Sequence, residues 1–189
     1  MKHLILIILC VFGYLGSHAQ VAGYWYAKEF SKDISLYKAK AYLFRDVLGS
    51  MQEVTQFEVI PLAAASSGEL TTLLYKCESE EKEGLVLGFY GDYWNETGIV
   101  YQGFAFKNFD KDAAAEFLDK IQQAIDENSK FLRKSTDNNN IVFKYDDIDV
   151  LIWASTTSYT IRLFWNGFDS SWERTAFERS KRRFEKKTR

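Results

Sequence analysis

Residues 110–132, DKDAAAEFLDKIQQAIDENSKFL, hold the clearest helix of this chain and split its strand-forming sequence into two groups. Ala114, Phe117, Leu118, Ile121, Ala124, Ile125, Asn128 and Phe131 or Leu132 recur at helical spacing and make one stripe. Lys111, Asp119, Lys120, Asp126 and Lys130 face away from it, and Asp110 opens the helix. A stripe of that width is what a helix needs to cover a core.

Toward the N-terminus, four segments read as strands: Val54 to Leu62, Leu70 to Cys77, Leu85 to Tyr90 and Gly98 to Lys107. Turn-rich sequence separates them at Ser66-Ser67-Gly68, Glu78 to Gly84 and Gly91 to Thr97. Such short connections predict antiparallel neighbours. Before them, Ser31 to Leu48 places Ile34, Tyr37, Ala41, Phe44 and Leu48 at helical spacing, although the alternation of Tyr37, Ala39, Ala41 and Leu43 would also suit a strand. Toward the C-terminus, past the polar break Asp137 to Asn140, three strands are predicted at Ile141 to Tyr145, Ile148 to Ala154 and Tyr159 to Trp165. Ser170 and Glu173 fit a capping box that would start a last helix running to about Lys187.

This order predicts an α+β domain: antiparallel β meanders of four plus three strands, covered by helices and closed by a C-terminal amphipathic helix. A PH-like arrangement has the same element order and is the alternative.

Residues 1–19 read as a secretory signal peptide. Lys2 and His3 precede the apolar run Leu4 to Leu15, broken only by Gly13, and Ser17-His18-Ala19 ends it with small residues at the cleavage positions. The run is too short to span a bilayer, which takes about 20 apolar residues. Cys10 lies within it after a bulky leucine, which argues against a lipid anchor. Cleavage is expected to leave Gln20 as the N-terminus of one α+β domain, residues 20–189, that is extracytoplasmic (periplasmic or secreted) and carries no transmembrane segment. About 170 residues bury enough surface for one core without disulfide or metal.

Cleavage would also remove both histidines, His3 and His18, and one of the two cysteines, leaving only Cys77. Most metal-centre and catalytic-triad chemistry goes with them, so no metal and no cofactor are expected. Cys77 alone makes no intrachain bridge and is read as a buried apolar residue or an intermolecular link.

The 24 basic and 26 acidic side chains give a net charge of −2, or −3 without Lys2. The charge is uneven. Eight basic residues stand against three acids from Trp172 to Arg189, so a basic tail follows an acidic body. On the last helix, Trp172, Ala176, Phe177, Ser180 and Phe184 can share one face. Arg174, Arg182, Lys186 and Lys187, with Lys181, surround the other. That composition suits an anionic membrane or an acidic partner. The simpler reading has the aromatic face docked on the sheet and the basic side chains solvated or meeting the acidic body. Nucleic acid is not expected, given export and a negative whole.

The segment Tyr90 to Gly98 places Asp92 and Glu96 around Trp94. Carboxylates beside an aromatic platform are what a sugar site uses. The plainer reading, which is preferred, is a hairpin turn whose aromatics fold back on the sheet. Asp146, Asp147 and Asp149 offer oxygen atoms for calcium, but the neighbouring Asp137 to Asn140 lacks the glycine and distal glutamate of an EF-hand loop, and a solvated turn explains both. Ser35-x-x-Lys38 and Ser79-x-x-Lys82 match a serine–lysine spacing without its companion motifs and are set aside.

The sequence thus predicts an exported, non-catalytic binding or structural module whose ligand it does not identify, with a glycan or an anionic cell-envelope component as the candidate partners. The rival is a small carboxylate-dependent glycan hydrolase acting through Asp92 and Glu96.

Overall fold

The structure is a computed structural model that describes residues 36–49, 52–94, 100–134, 138–154 and 158–189. The predicted signal peptide, residues 1–19, and the start at Gln20 lie outside the described residues, as does the beginning of the predicted helix from Ser31. The chain divides into two compact units, Met1–Tyr42 and Leu43–Arg189. Residues 36–42 of the first form a helix, α1, which supports the helical reading of that segment over the strand reading.

The second unit opens with one π-helical turn, Leu43–Val47. Four strands follow: β1 (Glu58–Ala64), β2 (Leu70–Cys77), β3 (Lys82–Trp94) and β4 (Val100–Asp110). Then come α2 (Lys111–Glu127), α3 (Ser129–Lys134), a second set of strands, β5 (Asn140–Tyr145), β6 (Ile148–Ala154), β7 (Tyr159–Trp165) and β8 (Phe168–Glu173), and a last helix, α4 (Arg174–Thr188). The fold class is α+β, as predicted, with every strand pair antiparallel. All eight strands belong to one sheet, ordered β1-β2-β3-β8-β7-β6-β5, with β4 on β3.

The strand count corrects the prediction of four plus three, and the PH-like alternative with it, because the second set also has four strands. Asn166 and Gly167 both take positive φ, 50° and 79°. That is the geometry of a tight hairpin turn, and it returns the chain from β7 into β8. In β8, Phe168, Ser170 and Trp172 are buried in alternation. Ser170 therefore does not cap a helix. Its hydroxyl donates to the Glu69 carbonyl, and α4 starts four residues later behind Glu173.

One core serves both sets of strands. Leu85, Leu87 and Phe89 of β3, Phe117, Leu118 and Ile121 of α2, Val150 and Ile152 of β6, and Trp172 of β8 all belong to it. Asp110 caps α2 by accepting from the Ala113 N–H at 2.9 Å. Phe117 stacks on Phe109 with ring centroids 5.1 Å apart. From α4, Ala176, Phe177 and Phe184 complete the core, and the Ser180 hydroxyl meets Thr72 at 2.7 Å. Thr72 also serves the bulge in β1, where the register shifts between Pro61 and Ala63: its hydroxyl bonds both the N–H and the C=O of Ala63. The bulge is thereby kept free of unpaired buried polar groups.

The two sets of strands meet at a narrow seam. Among the described residues, one ladder pair joins them, Tyr93↔Phe168. Beside it, the Glu69 carbonyl accepts from the Tyr90 N–H at 2.8 Å, and the Glu69 carboxylate accepts from the Ser171 N–H at 2.8 Å. Glu173, in turn, accepts from the Ser66 N–H.

Candidate functional site

Alternation along β5 to β8 decides which side chains face the core and which do not. Ile148, Val150 and Ile152, then Ile161 and Leu163, then Phe168, Ser170 and Trp172 point inward and are buried. Their neighbours in the chain must point to the other face. The registers assemble those neighbours into three rows. The first runs Asn140, Trp153, Thr160, Glu173; the second Val142, Leu151, Arg162, Ser171; the third Lys144, Asp149, Phe164, Asp169. The strand and pleat spacings make this a patch of about 14 by 14 Å.

Helices α2, α3 and α4 put their buried side chains into the core on the inner face, so none of them covers these rows. Val142 is 72% exposed and Phe164 37%, while Leu151 and Trp153 are half-buried between their neighbours. Charges interleave with the apolar side chains: Arg162, beside Leu151, bonds Asp169, and Asp149, beside Phe164, lies 3.8 Å from Lys144. The result is a mixed surface in which Val142, Leu151 and Trp153 adjoin one another and Phe164 stands among Asp149, Arg162 and Asp169. Such a surface offers a ligand stacking and burial.

The predicted site residues fall elsewhere. Asp92 and Trp94 stand at the far end of β3, paired with Gln102 and Val100, in a β3–β4 ladder unbroken from Gly84↔Asp110 to Trp94↔Val100. The backbone is thus that of a regular hairpin. Glu96 and the side chains of Asp92 and Trp94 lie outside the described residues.

Of the four basic positions singled out on the last helix, Arg174 is committed within the fold. It lies 2.8 Å from Glu178 and 5.6 Å from the centre of the Tyr159 ring. Burial and the Glu178 carboxylate push the Tyr159 phenol far above its ordinary pKa, so it stays a neutral hydrogen-bonding group. Arg182, Lys186 and Lys187 are exposed, and the main-chain carbonyl of Lys187 accepts from Lys76.

Of the aspartates weighed for calcium, Asp146 and Asp147 are taken up together by one lysine, and Asp149 stands apart. Asp146 takes positive φ in the turn between β5 and β6, and both it and Asp147 pair with Lys107, at 2.6 and 2.7 Å. The Trp165 indole N–H also donates to Asp147 at 2.8 Å. Burial would raise the Asp147 pKa, but Lys107 and Trp165 overcome it and hold the carboxyl below its ordinary range. Asp149 points to the outer face, beside Lys144. Among the described residues no group of three or more His, Cys, Asp or Glu side chains is placed to hold a metal ion. Cys77 is buried and unpaired, its thiol 3.5 Å from the Gln56 carbonyl.

The outer face was not recognised from the sequence, although the alternation of β6 and β7 carries its signature. A strand with polar or large side chains at every second position is open on one side, and three such strands in register make a surface.

Compared with known protein families, curated proteins and solved structures, the chain has no match in any of the three. No helix among the described residues is long and apolar enough to cross a membrane.

Proposed function

We propose that this chain is an exported, non-catalytic binding module whose recognition surface is the outer face of β5 to β8. One observation carries the reading: four adjacent strands leave Val142, Leu151, Trp153 and Phe164 on a side that α2, α3 and α4 do not cover. Exposed apolar and aromatic side chains on neighbouring strands, with polar groups between them, give a ligand a surface to stack on. A glycan of the cell envelope suits it, because Trp153 offers a stacking plane and Asn140, Thr160 and Arg162 stand in adjacent rows to bond hydroxyls. Export rests on the N-terminal sequence, where the apolar run Leu4 to Leu15 leads to Ser17-His18-Ala19.

The test is capture of envelope glycans by the purified mature protein, with Trp153→Ala alongside. Capture is expected from the native protein, with the glycan recovered intact, and is expected to fall at least tenfold in Trp153→Ala while the melting temperature holds. Equal capture by the variant would reject the face. Shortened glycan, abolished by Asp92→Asn with Glu96→Gln, would replace the module with the hydrolase.

A further inference from the structure

A second surface, on α4, carries a different chemistry and stands independently of the glycan reading. The helix sorts its charges. Both acids within it are taken up by basic partners on the same flank: Glu178 by Arg174 at 2.8 Å, and Glu185 by Lys181, which also pairs with Asp119 from α2. Its apolar flank, Ala176, Phe177, Ser180 and Phe184, is buried in the fold. What remains outward are Arg179, Arg182, Lys186 and Arg189, all exposed. Steps of three and four residues put Arg179, Arg182 and Lys186 on one line along the helix, about 10 Å long, and Arg189 follows just past its C-terminal end. Among the described residues none of the four has an ion-pair partner. Arg183, whose guanidinium donates to the Leu62 carbonyl, and Lys187 flank the same line.

A row of unneutralised cations on a body of net negative charge is a directional electrostatic feature, since the chain had acids available and placed them elsewhere. We propose that this ridge docks the protein on an anionic phospholipid bilayer. A helix side is convex, so it meets a plane along its whole length and brings all four cations to the headgroups at once. A flexible polyanion would meet the same charges without presenting a plane, and it is the alternative that the test below separates.

Docking is peripheral. The aromatic side chains that could insert, Phe177 and Phe184, are committed to the core at 0% and 1% exposure. Adhesion is therefore salt-sensitive and blind to neutral lipid. Because α4 packs on the inner face of the sheet, a protein seated by this ridge keeps the outer face of β5 to β8 on the far side of the sheet, clear of the lipid.

The experiment is co-sedimentation of the purified protein with vesicles of about one-third phosphatidylglycerol in phosphatidylcholine, at roughly 50 mM and 300 mM salt. Binding is expected at the lower salt, with at least a tenfold loss at the higher, and none to pure phosphatidylcholine. Each basic residue near such a surface contributes about fivefold, so Arg179→Glu with Arg182→Glu and Lys186→Glu is expected to lose at least 100-fold. The milder triple change to glutamine at those positions loses less and guards against a folding defect. Reversing Lys130, Arg133 and Lys134 on α3 makes the same change in net charge away from the ridge and is expected to leave at least a tenth of the binding.

No binding to the anionic vesicles, equal binding to neutral ones, full binding by the glutamine variant, or equal losses in the two reversal variants would each overturn the proposal. So would retention on an acidic protein or polysaccharide matrix without retention on vesicles. Glycan capture by the ridge variants is expected to be unchanged, which keeps this test separate from that of the outer face.

Discussion

The N-terminal and C-terminal sets of strands are both four-stranded antiparallel meanders, yet they treat their second face in opposite ways. In β2, Leu70, Thr72 and Leu74 are buried toward α4 and the core, and Leu73, Tyr75 and Cys77 are buried on the other side as well. Val86 of β3 and Phe106 of β4 share that second side and are also buried. Lys82, paired with Cys77 and hence on the same side, donates to the carbonyls of Val47 and Leu48, which ties the segment bearing the buried Leu43 and Leu48 to the start of β3. Room on that side is tight. A side chain at Gly84 would collide with the Phe109 carbonyl, and the Tyr75 ring occupies the space above the glycine. In β5 and β6 the pattern alternates cleanly, and Val142, Asp149 and Phe164 face solvent. One half of the sheet is thus a two-sided core layer, and the other is covered by helices of the described residues on one side only. Strands that serve packing on both sides have no positions left for recognition.

That comparison is most severely tested where the halves share a core. Trp172 is 1% exposed, meets Phe117 at 6.5 Å and stands edge-on to Phe177 at 5.1 Å. Trp172→Ala is expected to cost about 3–5 kcal/mol in urea unfolding, in a single transition for both halves. A loss below about 1 kcal/mol, or two separate transitions, would show that the halves do not share one core.

A sharper contrast uses one aliphatic truncation on the second face of each half. Leu73 is 6% exposed and Val142 72%. Leu73→Ala should cost about 2–5 kcal/mol and Val142→Ala no more than about 0.5 kcal/mol, both read from denaturant midpoints. Similar losses at the two positions would erase the distinction.

The smallest effect concerns an ion cluster of the N-terminal half. Glu83 of β3 lies 2.5 Å from Lys76 and 3.1 Å from Lys111. Burial works to raise its pKa, but these two partners prevail and hold it below its ordinary value of 4.5. A carboxyl depressed by folding stabilises at pH above its unfolded value, and that contribution disappears as pH falls through the folded one. Glu83→Gln should therefore cost about 1 kcal/mol or less at pH 7, a difference that closes as pH falls below about 4. Melting curves from pH 7 to pH 3 would check it, and a gap that widens in acid would reverse the assignment.

Much of the fold was legible because periodicity reports burial directly. The limits of β2, β6 and β7 coincide with the predicted strands, and α2 carries the predicted stripe, with Ala114, Phe117, Leu118, Ile121 and Ile125 buried. Strand β8 was missed for a local reason. Asp169-Ser170-Ser171 has the residue types of a helix cap, and the turn that overrules it depends on the positive φ of Asn166 and Gly167. The ends of β3 were missed because Gly84 and Gly91 read as turn formers, whereas Gly84 is in the strand so that the neighbouring backbone can come close. On the surface, charge was legible and commitment was not. The sequence displays the basic residues of α4, but only packing distinguishes Arg174, spent on Glu178 and Tyr159, from Arg179 and Arg189, left on the ridge with Arg182 and Lys186. The outer face was overlooked because it exists only once three registers are known.

The seam between the halves has a consequence for how the chain reaches this state in time. Six of the seven strand pairings join consecutive strands, so each closes a short loop and forms early with little chain entropy opposing it. The seventh, Tyr93↔Phe168, joins positions 75 residues apart. Hairpins in both halves can assemble independently, within microseconds, before anything holds the halves together. Completion then waits on one encounter, at which Glu69, Ser170 and Ser171 latch across the gap and the aromatic residues of α2 and β8 come together. Docking of the two sets of strands is therefore expected late in folding, and pulsed hydrogen exchange should show the backbone amides beside Tyr93 and Phe168 gaining protection after those within the hairpins.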